Sequence, residues 1–238
     1  MMAVSANDTL PQVARPPRAM AWVVLLAAAA AVLAVGVFAT VVLFGRLGAY
    51  PSVPGFTFWA ALLGAALLTV ASISLRSLRW IFLLRRAETR IPIRDAYIGY
   101  FSGFSVLFAP LLAGEVAVRA LVHRSRGNVP VHTTVVVNVW ERLLDATALS
   151  MLAAVAGFAV DGRLSPWRWT LVGFAALSFI TPVRRLALRA ITAVTQPIAR
   201  VFDVTPAPNL GRLSGLRTWT TALVTSVVAW VLPCAGLW

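Results

Sequence analysis

The sequence predicts an all-α, polytopic membrane protein with about five spans, a re-entrant hairpin and an interfacial amphipathic helix. Of its 238 residues, 60% are hydrophobic and only 12% are charged, whereas an ordinary soluble domain carries about 25% charged residues. Its mean hydropathy is +0.84. Charge-free runs of 24, 20 and 21 residues occupy 21–44, 56–75 and 218–238. Since about 20 apolar residues cross a bilayer, each run is long enough for a span.

The charge is strongly positive. The chain contains 21 arginines, no lysine and 8 acidic residues, which give a formal net charge of +13. Nucleic acid is not a predicted partner, because cytoplasmic loops of membrane proteins already carry excess basic residues and no recognition motif accompanies the charge. The single cysteine, Cys234, lies in the last apolar run. It excludes an intrachain disulfide and a zinc-finger spacing.

The first two spans set the predicted topology. Residues 1–19 form a polar tail, and 20–238 form one transmembrane domain. The run 21–44 is a retained first span, because it exceeds the 7 to 15 apolar residues of a signal peptide. The second span, 56–75, is followed by six arginines between 76 and 94. These arginines predict that the far end of this span, and therefore the N-terminus, lies in the cytoplasm.

The segment 96–114 is interpreted as a re-entrant hairpin. It is 19 residues long, charge-free, and contains Gly99, Gly103, Pro110 and Gly114, of which Pro110 and Gly114 are the predicted structural breaks. If the segment returns to its starting side, 17 arginines lie inside and 3 outside; if it crosses, the count is 10 and 10. The positive-inside rule favours the hairpin.

The remaining elements are a long helix at 131–160, a span at 166–180, a surface helix and a last span from 218. The surface helix is indicated by two sets of residues between 182 and 204. The polar set is Arg185, Arg189, Gln196 and Arg200, and the apolar set is Leu186, Ile191, Val194, Ile198 and Val201. Such an amphipathic pattern is typical of a helix that lies in the membrane interface.

The long helix carries polar residues on one face. Thr134, Asn138, Glu141 and Asp145 follow one another at spacings of 4, 3 and 4, so they share one side of a helix. The charge-free stretch 146–160 spans only about 22 Å, so the two carboxylates must enter the inner leaflet. A charge at bilayer centre costs on the order of 2.5 to 3.5 kcal/mol, which requires partners. The candidate partners are Glu115, Arg119 and Arg142.

These residues predict a polar cavity that is open to the cytoplasm and binds a zwitterionic or phosphate-bearing lipid headgroup. The predicted headgroup-binding residues are Glu115, Arg119, Asn138, Glu141, Arg142 and Asp145. In the structural alternative, Glu141, Arg142 and Asp145 neutralise one another and only join helices. Arg79 with Trp80 is interpreted as an interface anchor.

No metal, cofactor or catalytic residue is predicted. His123 and His132 are nine residues apart and lack the i, i+4 spacing of paired metal ligands. The sequence contains no Gly-rich phosphate loop and no nucleophile elbow. An enzyme that uses Glu141 or Asp145 as a general base stays an alternative, because geometry must decide whether either carboxylate can accept a proton.

Three segments resemble the lysylphosphatidylglycerol synthase transmembrane family, a flippase-like family of prokaryotic membrane proteins. They are LRSLRWIFLLRR at 75–86, FAPLLAGEVAVRALVHRSRG at 108–127 and NVWERLLDATAL at 138–149. A further segment, TALVTSVVAWVLPCAGLW at 221–238, is similar to a late span of that family. The resemblance covers roughly 56–238 and implies a domain that is incomplete at its C-terminus, since the family continues through further spans.

The resemblance implies a multi-pass protein of the prokaryotic cytoplasmic membrane that moves polar lipids between leaflets. Its implied partners are a membrane phospholipid or a polyprenyl-linked lipid, together with a neighbouring transferase. The synthase chemistry belongs to a separate soluble domain, so the chain is expected to be a carrier and not an enzyme. The alternative is a non-transporting scaffold subunit of a glycolipid or cell-envelope synthesis complex.

Overall fold

The computed structural model describes residues 56–89, 91–103, 113–162, 165–202 and 209–235. Within these ranges the protein is helical and contains no strand, as the all-α prediction requires. The elements are α1 (Phe56–Arg86), α2 (Ile93–Ser102), α3 (Ala113–Gly127), α4 (Val131–Asp161), α5 (Pro166–Leu177), α6 (Thr181–Phe202), a 3₁₀ helix (Leu210–Ser214) and α7 (Leu216–Ala235). The predicted tail 1–19 and the predicted first span 21–44 lie outside the described residues.

Three helices are long and apolar enough to cross a membrane, namely Trp59–Arg86 of α1, Val131–Ala159 of α4 and Leu216–Ala235 of α7. A 20-residue helix is about 30 Å long, which matches the hydrocarbon thickness. The helices α5 and α6 meet the combined requirement of length and apolarity only as a pair, and they are bent by 87° where they meet. The described chain therefore has three such helices, or four if the bent pair is one span.

The bundle is built around α4 and the antiparallel contact of α1 with α7. Trp140 of α4 and Trp219 of α7 are fully buried, and their rings meet edge to face at 5.2 Å. The hydroxyl of Ser72 on α1 donates a hydrogen bond of 2.5 Å to the carbonyl of Ala229 on α7. On the opposite side of α1, Leu63, Leu67 and Val70 are exposed at helical spacing. An apolar stripe of this kind is suited to contact with lipid.

The helices α2 and α3 lie antiparallel. Asp95, near the start of α2, accepts a hydrogen bond of 3.2 Å from Nη1 of Arg126, near the end of α3. Further along the pair, Gly99 lies beside His123. The segment therefore returns towards its starting end, as a hairpin does, and the ten residues of α2 extend about 15 Å. Entry into the bilayer stays a prediction, and Pro110 lies outside the described residues.

Two glycines of this segment, Gly99 and Gly114, lie inside helices. Gly99 is buried within α2, where an added Cβ would clash with the imidazole ring of His123. Its lack of a side chain serves close helix packing. Gly114 is in the first turn of α3. Glycine in a first turn costs a helix little, because the N–H groups of that turn have no intrahelical partner. Gly114 is thus the second residue of its helix, and its role as a structural break stays a prediction.

The predicted span 166–180 is shorter than expected, because α5 ends at Leu177 after 12 residues, about 18 Å. The chain then turns, and the buried Arg184 on α6 holds the turn. Its guanidinium donates hydrogen bonds of 3.0 Å to the carbonyls of Ser178 and Ser214 and one of 2.9 Å to the hydroxyl of Thr181. The start of α6 is thereby fixed to both the end of α5 and the 3₁₀ helix.

The surface helix α6 has three faces, although the sequence predicted two. One face is buried against the protein and includes Arg184 and Leu188. The second is polar and exposed and includes Arg185 and Arg189. The third is apolar and exposed and is represented by Leu186. Since residues are 100° apart on a helix, the three faces are separated by about 120°.

Candidate functional site

Six charged side chains from three helices meet inside the bundle. Arg79 comes from α1, Glu115 and Arg119 come from α3, and Glu141, Arg142 and Asp145 come from α4. Helical spacing explains the local arrangement, because residues four apart lie on the same face. That spacing relates Glu115 to Arg119 and Glu141 to Asp145.

The six residues form one line in which acidic and basic groups alternate, called here the ion-pair chain. Arg79 donates through Nη1 to Oδ1 of Asp145 at 2.6 Å and through Nη2 to Oε1 of Glu141 at 2.6 Å. The other oxygen of Glu141 lies 3.4 Å from Nη1 of Arg119. Arg119 pairs through Nη2 with Oε1 of Glu115 at 2.6 Å, and Oε2 of Glu115 accepts from Nη2 of Arg142 at 2.7 Å. Three positive charges balance three negative ones.

The two ends of the ion-pair chain differ in burial. The side chain of Asp145, at one end, is 9% exposed, and that of Arg142, at the other, is 41% exposed. The four side chains between them are 4% exposed or less. Unpaired ions in such surroundings would cost several kcal/mol each. Because the four middle side chains are buried, outside molecules cannot reach the interior part of the ion-pair chain. Arg142 is the end that they can reach.

Groups from neighbouring elements support the interior part. The hydroxyl of Ser226 on α7 accepts a hydrogen bond from Arg79, and Nε1 of Trp230 donates to Oδ1 of Asp145 at 3.3 Å. The guanidinium of Arg119 lies over the ring of Tyr100 at 4.2 Å and that of Trp80 at 4.9 Å, within the range of cation–π attraction. Ser226 is ten residues from the start of α7, so the ion-pair chain lies about 15 Å along that helix.

Three buried polar groups of α4 lack a hydrogen-bond partner among the described residues. Thr134 and Asn138 are 0% and 3% exposed and precede Arg142 at intervals of four residues. The hydroxyl of Thr134, Nδ2 of Asn138 and Nε of Arg142 have no hydrogen-bond partner among the described residues. A buried donor without an acceptor costs about 1 to 3 kcal/mol. An acceptor-rich ligand at this position would recover that free energy.

The structure brings together five of the six predicted headgroup-binding residues and buries the sixth, Asn138, one turn before Arg142 on α4. The pairing differs from the structural alternative stated above, in which Glu141, Arg142 and Asp145 neutralise one another. Arg142 pairs instead with Glu115. The two α4 carboxylates are neutralised by arginines from α1 and α3.

Arg79 is the residue that the sequence interpretation missed. The interpretation of Arg79 and Trp80 as an interface anchor is wrong, because they are 2% and 0% exposed and lie in the interior. A charge count could have found Arg79. The predicted cluster had three carboxylates and only two arginines, so a third cation was required to keep the interior neutral.

His123 lies beside the ion-pair chain and is fully buried. Its ring stacks on Trp80 with centroids 5.8 Å apart and an interplanar angle of 18°. Burial is the largest influence on the pKa of His123, which it lowers to about 4, so the ring is neutral at pH 7. In the part of the chain that the structure describes, no three histidine, cysteine or acidic side chains are grouped to hold a metal ion.

Comparison with protein-family models, curated proteins and solved structures found no match for this chain. The resemblance to the lysylphosphatidylglycerol synthase transmembrane family therefore stays a prediction from short segments. Functional inference rests on the geometry of the charged residues and on the apolar helices around them.

Proposed function

We propose that this protein is a carrier that binds polar lipids at the exposed end of the ion-pair chain and moves them between leaflets of the prokaryotic cytoplasmic membrane. The observation that carries the proposal is the 41% exposure of the Arg142 side chain, at the end of an otherwise buried network. Candidate cargoes are phospholipids and polyprenyl-linked lipids. A neighbouring transferase would supply them.

Arg142 has the donors that a phosphate requires. A guanidinium carries five N–H donors in one plane, and Glu115 accepts from only one nitrogen of Arg142. The remaining donors, with Nδ2 of Asn138 one helical turn away, suit the several acceptor oxygens of a phosphate. Arg119 has a different role, because two carboxylates and two aromatic rings enclose it. It positions Glu115.

Alternation of charge suits transfer of a headgroup. A phosphate that binds Arg142 can replace Glu115 as its partner, and Glu115 keeps its contact with Arg119. An amine in the same headgroup can bind the released carboxylate oxygen. No charge is then left unpaired in the low-dielectric interior, where an unpaired charge would oppose movement.

The proposal includes no catalytic step. Both carboxylate oxygens of Glu141 face arginines, one on Arg79 and one on Arg119. Both oxygens of Asp145 accept hydrogen bonds from Arg79. A general base needs an oxygen within hydrogen-bond reach of its substrate, and the oxygens of these two carboxylates are already occupied by arginines.

The scaffold alternative also has an observation in its favour. The ion-pair chain is neutral and joins α1, α3 and α4, which is what a purely structural network would do. A scaffold would tolerate a change at Arg142 that keeps the fold, whereas a carrier would not. The two functions therefore differ in the effect of one substitution.

The test is leaflet-resolved lipid flipping in reconstituted vesicles with the Arg142→Lys variant. Lysine keeps the charge and loses the planar fork that binds two phosphate oxygens. We expect the flipping rate to fall at least about ten-fold, which corresponds to roughly 1.4 kcal/mol. The matched control is Arg217→Lys, because Arg217 is an exposed arginine at the start of α7 outside the ion-pair chain.

The amount of folded protein must be equal in both preparations and is checked by gel filtration. A normal flipping rate in Arg142→Lys would contradict headgroup capture by this arginine. Normal flipping in Arg142→Gln as well would leave the ion-pair chain as a connection between helices. Absence of flipping by the wild-type protein would favour the scaffold.

A further inference from the structure

A cavity of about 430 Å³ lies between α6 and the 3₁₀ helix. Arg185, Arg189 and Thr192 line it from α6, Gly211 and Ser214 line it from the 3₁₀ helix, and two leucines complete it. Small-molecule sites typically measure about 300 to 1,000 Å³. The cavity is thus large enough for a headgroup, and it lies outside the ion-pair chain.

The cavity is positively charged. Arg185 and Arg189 are one turn apart on α6 and are exposed. Neither forms an ion pair with a carboxylate in the described ranges. Two adjacent guanidinium groups repel each other and attract a shared anion, and phosphate suits their planar, paired donors.

The position of the cavity on α6 indicates that the anion belongs to an amphiphile. The apolar face of α6 exposes Leu186, Val194 and Val201 by 67%, 78% and 75%. This face is separated from the arginine face by about 120° around the same helix. A helix with adjacent apolar and cationic faces lies in the interface between acyl chains and headgroups. A free phosphate would use only the cationic face.

We propose that this cavity binds the phosphodiester headgroup of an anionic membrane lipid through Arg185 and Arg189, with its acyl chains along the apolar face of α6. Thr192 and Ser214 line the cavity beside the arginines, and their hydroxyls donate to the backbone carbonyls of Leu188 and Gly211. The buried Arg184 supports the cavity, because its hydrogen bond to the carbonyl of Ser214 joins α6 to the 3₁₀ helix, which are the two walls. Basic pockets at the cytoplasmic ends of transmembrane helices are suited to anionic lipids.

The experiment measures lipid binding and requires no transport. The purified, delipidated full chain in detergent is titrated with phosphatidylglycerol, and bound lipid is counted by native mass spectrometry. Phosphatidylcholine with the same acyl chains measures binding without net negative charge. Glycerol 3-phosphate, added as a competitor, measures binding of a soluble phosphate.

We expect Arg185→Gln/Arg189→Gln to weaken phosphatidylglycerol binding at least about ten-fold and to leave phosphatidylcholine binding unchanged. The control Arg86→Gln/Arg217→Gln removes the same charge from two other exposed arginines outside the cavity. We expect it to change binding less than about two-fold. If the double variant does not fold, each single variant, Arg185→Gln and Arg189→Gln, is expected to weaken binding at least about three-fold.

Two results would overturn the proposal. One is wild-type affinity for phosphatidylglycerol in folded variants of the cavity. The other is displacement of the lipid by glycerol 3-phosphate at an equal concentration, which would assign the cavity to a soluble phosphate. Neither result depends on flipping, so the carrier function can fail or survive separately.

Discussion

The arginines of the ion-pair chain and the arginines of α6 differ in how their charge is balanced. In the interior, Arg79 and Arg119 each contact two carboxylates. On α6, Arg185 and Arg189 are exposed and contact none in the described chain. Water can hydrate an exposed guanidinium, whereas a buried one needs a counter-ion. An interior arginine can therefore receive a ligand only by exchanging a partner, and a surface arginine can bind one directly.

The largest expected effect comes from removing one interior charge. Arg79→Met leaves three buried or partly buried carboxylates with two arginines, and breaking a buried pair in this way costs about 3 to 5 kcal/mol. Thermal unfolding in detergent, followed by intrinsic tryptophan fluorescence, measures the loss. The corresponding change on α6, Arg185→Met, should cost less than about 0.5 kcal/mol, because it is a surface substitution.

A second variant separates loss of pairing from loss of packing at Arg79. In Arg79→Met/Asp145→Leu the remaining ion-pair chain again contains two positive and two negative groups. We expect this double variant to be more stable than Arg79→Met alone. Equal instability of the two would show that charge balance does not determine the stability of the interior.

The packed interior can also be disturbed without any change of charge. An alanine Cβ at Gly99 would clash with Nε2 of His123 and lie 2.5 Å from its Cδ2, and overpacking of this kind typically costs about 1 to 3 kcal/mol. Gly64 on α1 is the control, because nothing lies within 4 Å of its added Cβ. Gly64→Ala should stabilise α1 by up to about 1 kcal/mol. In unfolding by a chemical denaturant, the midpoint should therefore fall in Gly99→Ala and rise in Gly64→Ala.

A smaller effect is expected from pH, through His123. The pKa of His123 is about 4 in the folded protein, compared with 6.5 for a histidine that is exposed to water. Unfolding takes up a proton between these values, so stability is fully present above pH 6.5 and falls as the pH approaches 4. At one pH unit below 6.5, the free energy of unfolding is lower by about 1 kcal/mol.

The measurement compares unfolding at pH 7 and pH 5.5 in the wild type and in His123→Phe. Phenylalanine can keep the stacking on Trp80 and has no proton to gain. We expect the wild type to lose about 1 kcal/mol more than the variant between the two pH values. An identical pH dependence would assign the loss to other groups, such as the carboxylates of the ion-pair chain.

Hydropathy and helical spacing were sufficient to predict the helical class, the positions of α4 and α7, the start of α1, and the shared face of Glu141 and Asp145. They did not predict that α1 continues from 75, where the span was expected to end, to Arg86. Continuous apolar runs and i, i+4 spacing are local properties that the sequence states directly. The position of Arg79 is different. An arginine in the last turns of a span can extend to the interface or pair inside, and only the packing of α4 and α7 against α1 decides between them.

The three faces of α6 show the same limit. The sequence distinguishes polar from apolar residues, and it predicted one polar face and one apolar face. It could not divide the apolar residues into those that contact protein and those that are exposed. Leu188 is 6% exposed and Leu186 is 67% exposed, although both are leucines on one helix. The difference follows from where α4 and the 3₁₀ helix contact α6.

The long sequence separation within the ion-pair chain has a consequence for biosynthesis. Glu141 follows Arg79 by 62 residues, and Ser226 follows it by 147. At a ribosomal rate of about 5 to 20 residues per second, Arg79 is made roughly 3 to 12 seconds before its first α4 partner. During that delay α1 carries an arginine without the carboxylates that later balance it. We therefore expect α1 to reach its full stability only after α4 has been made.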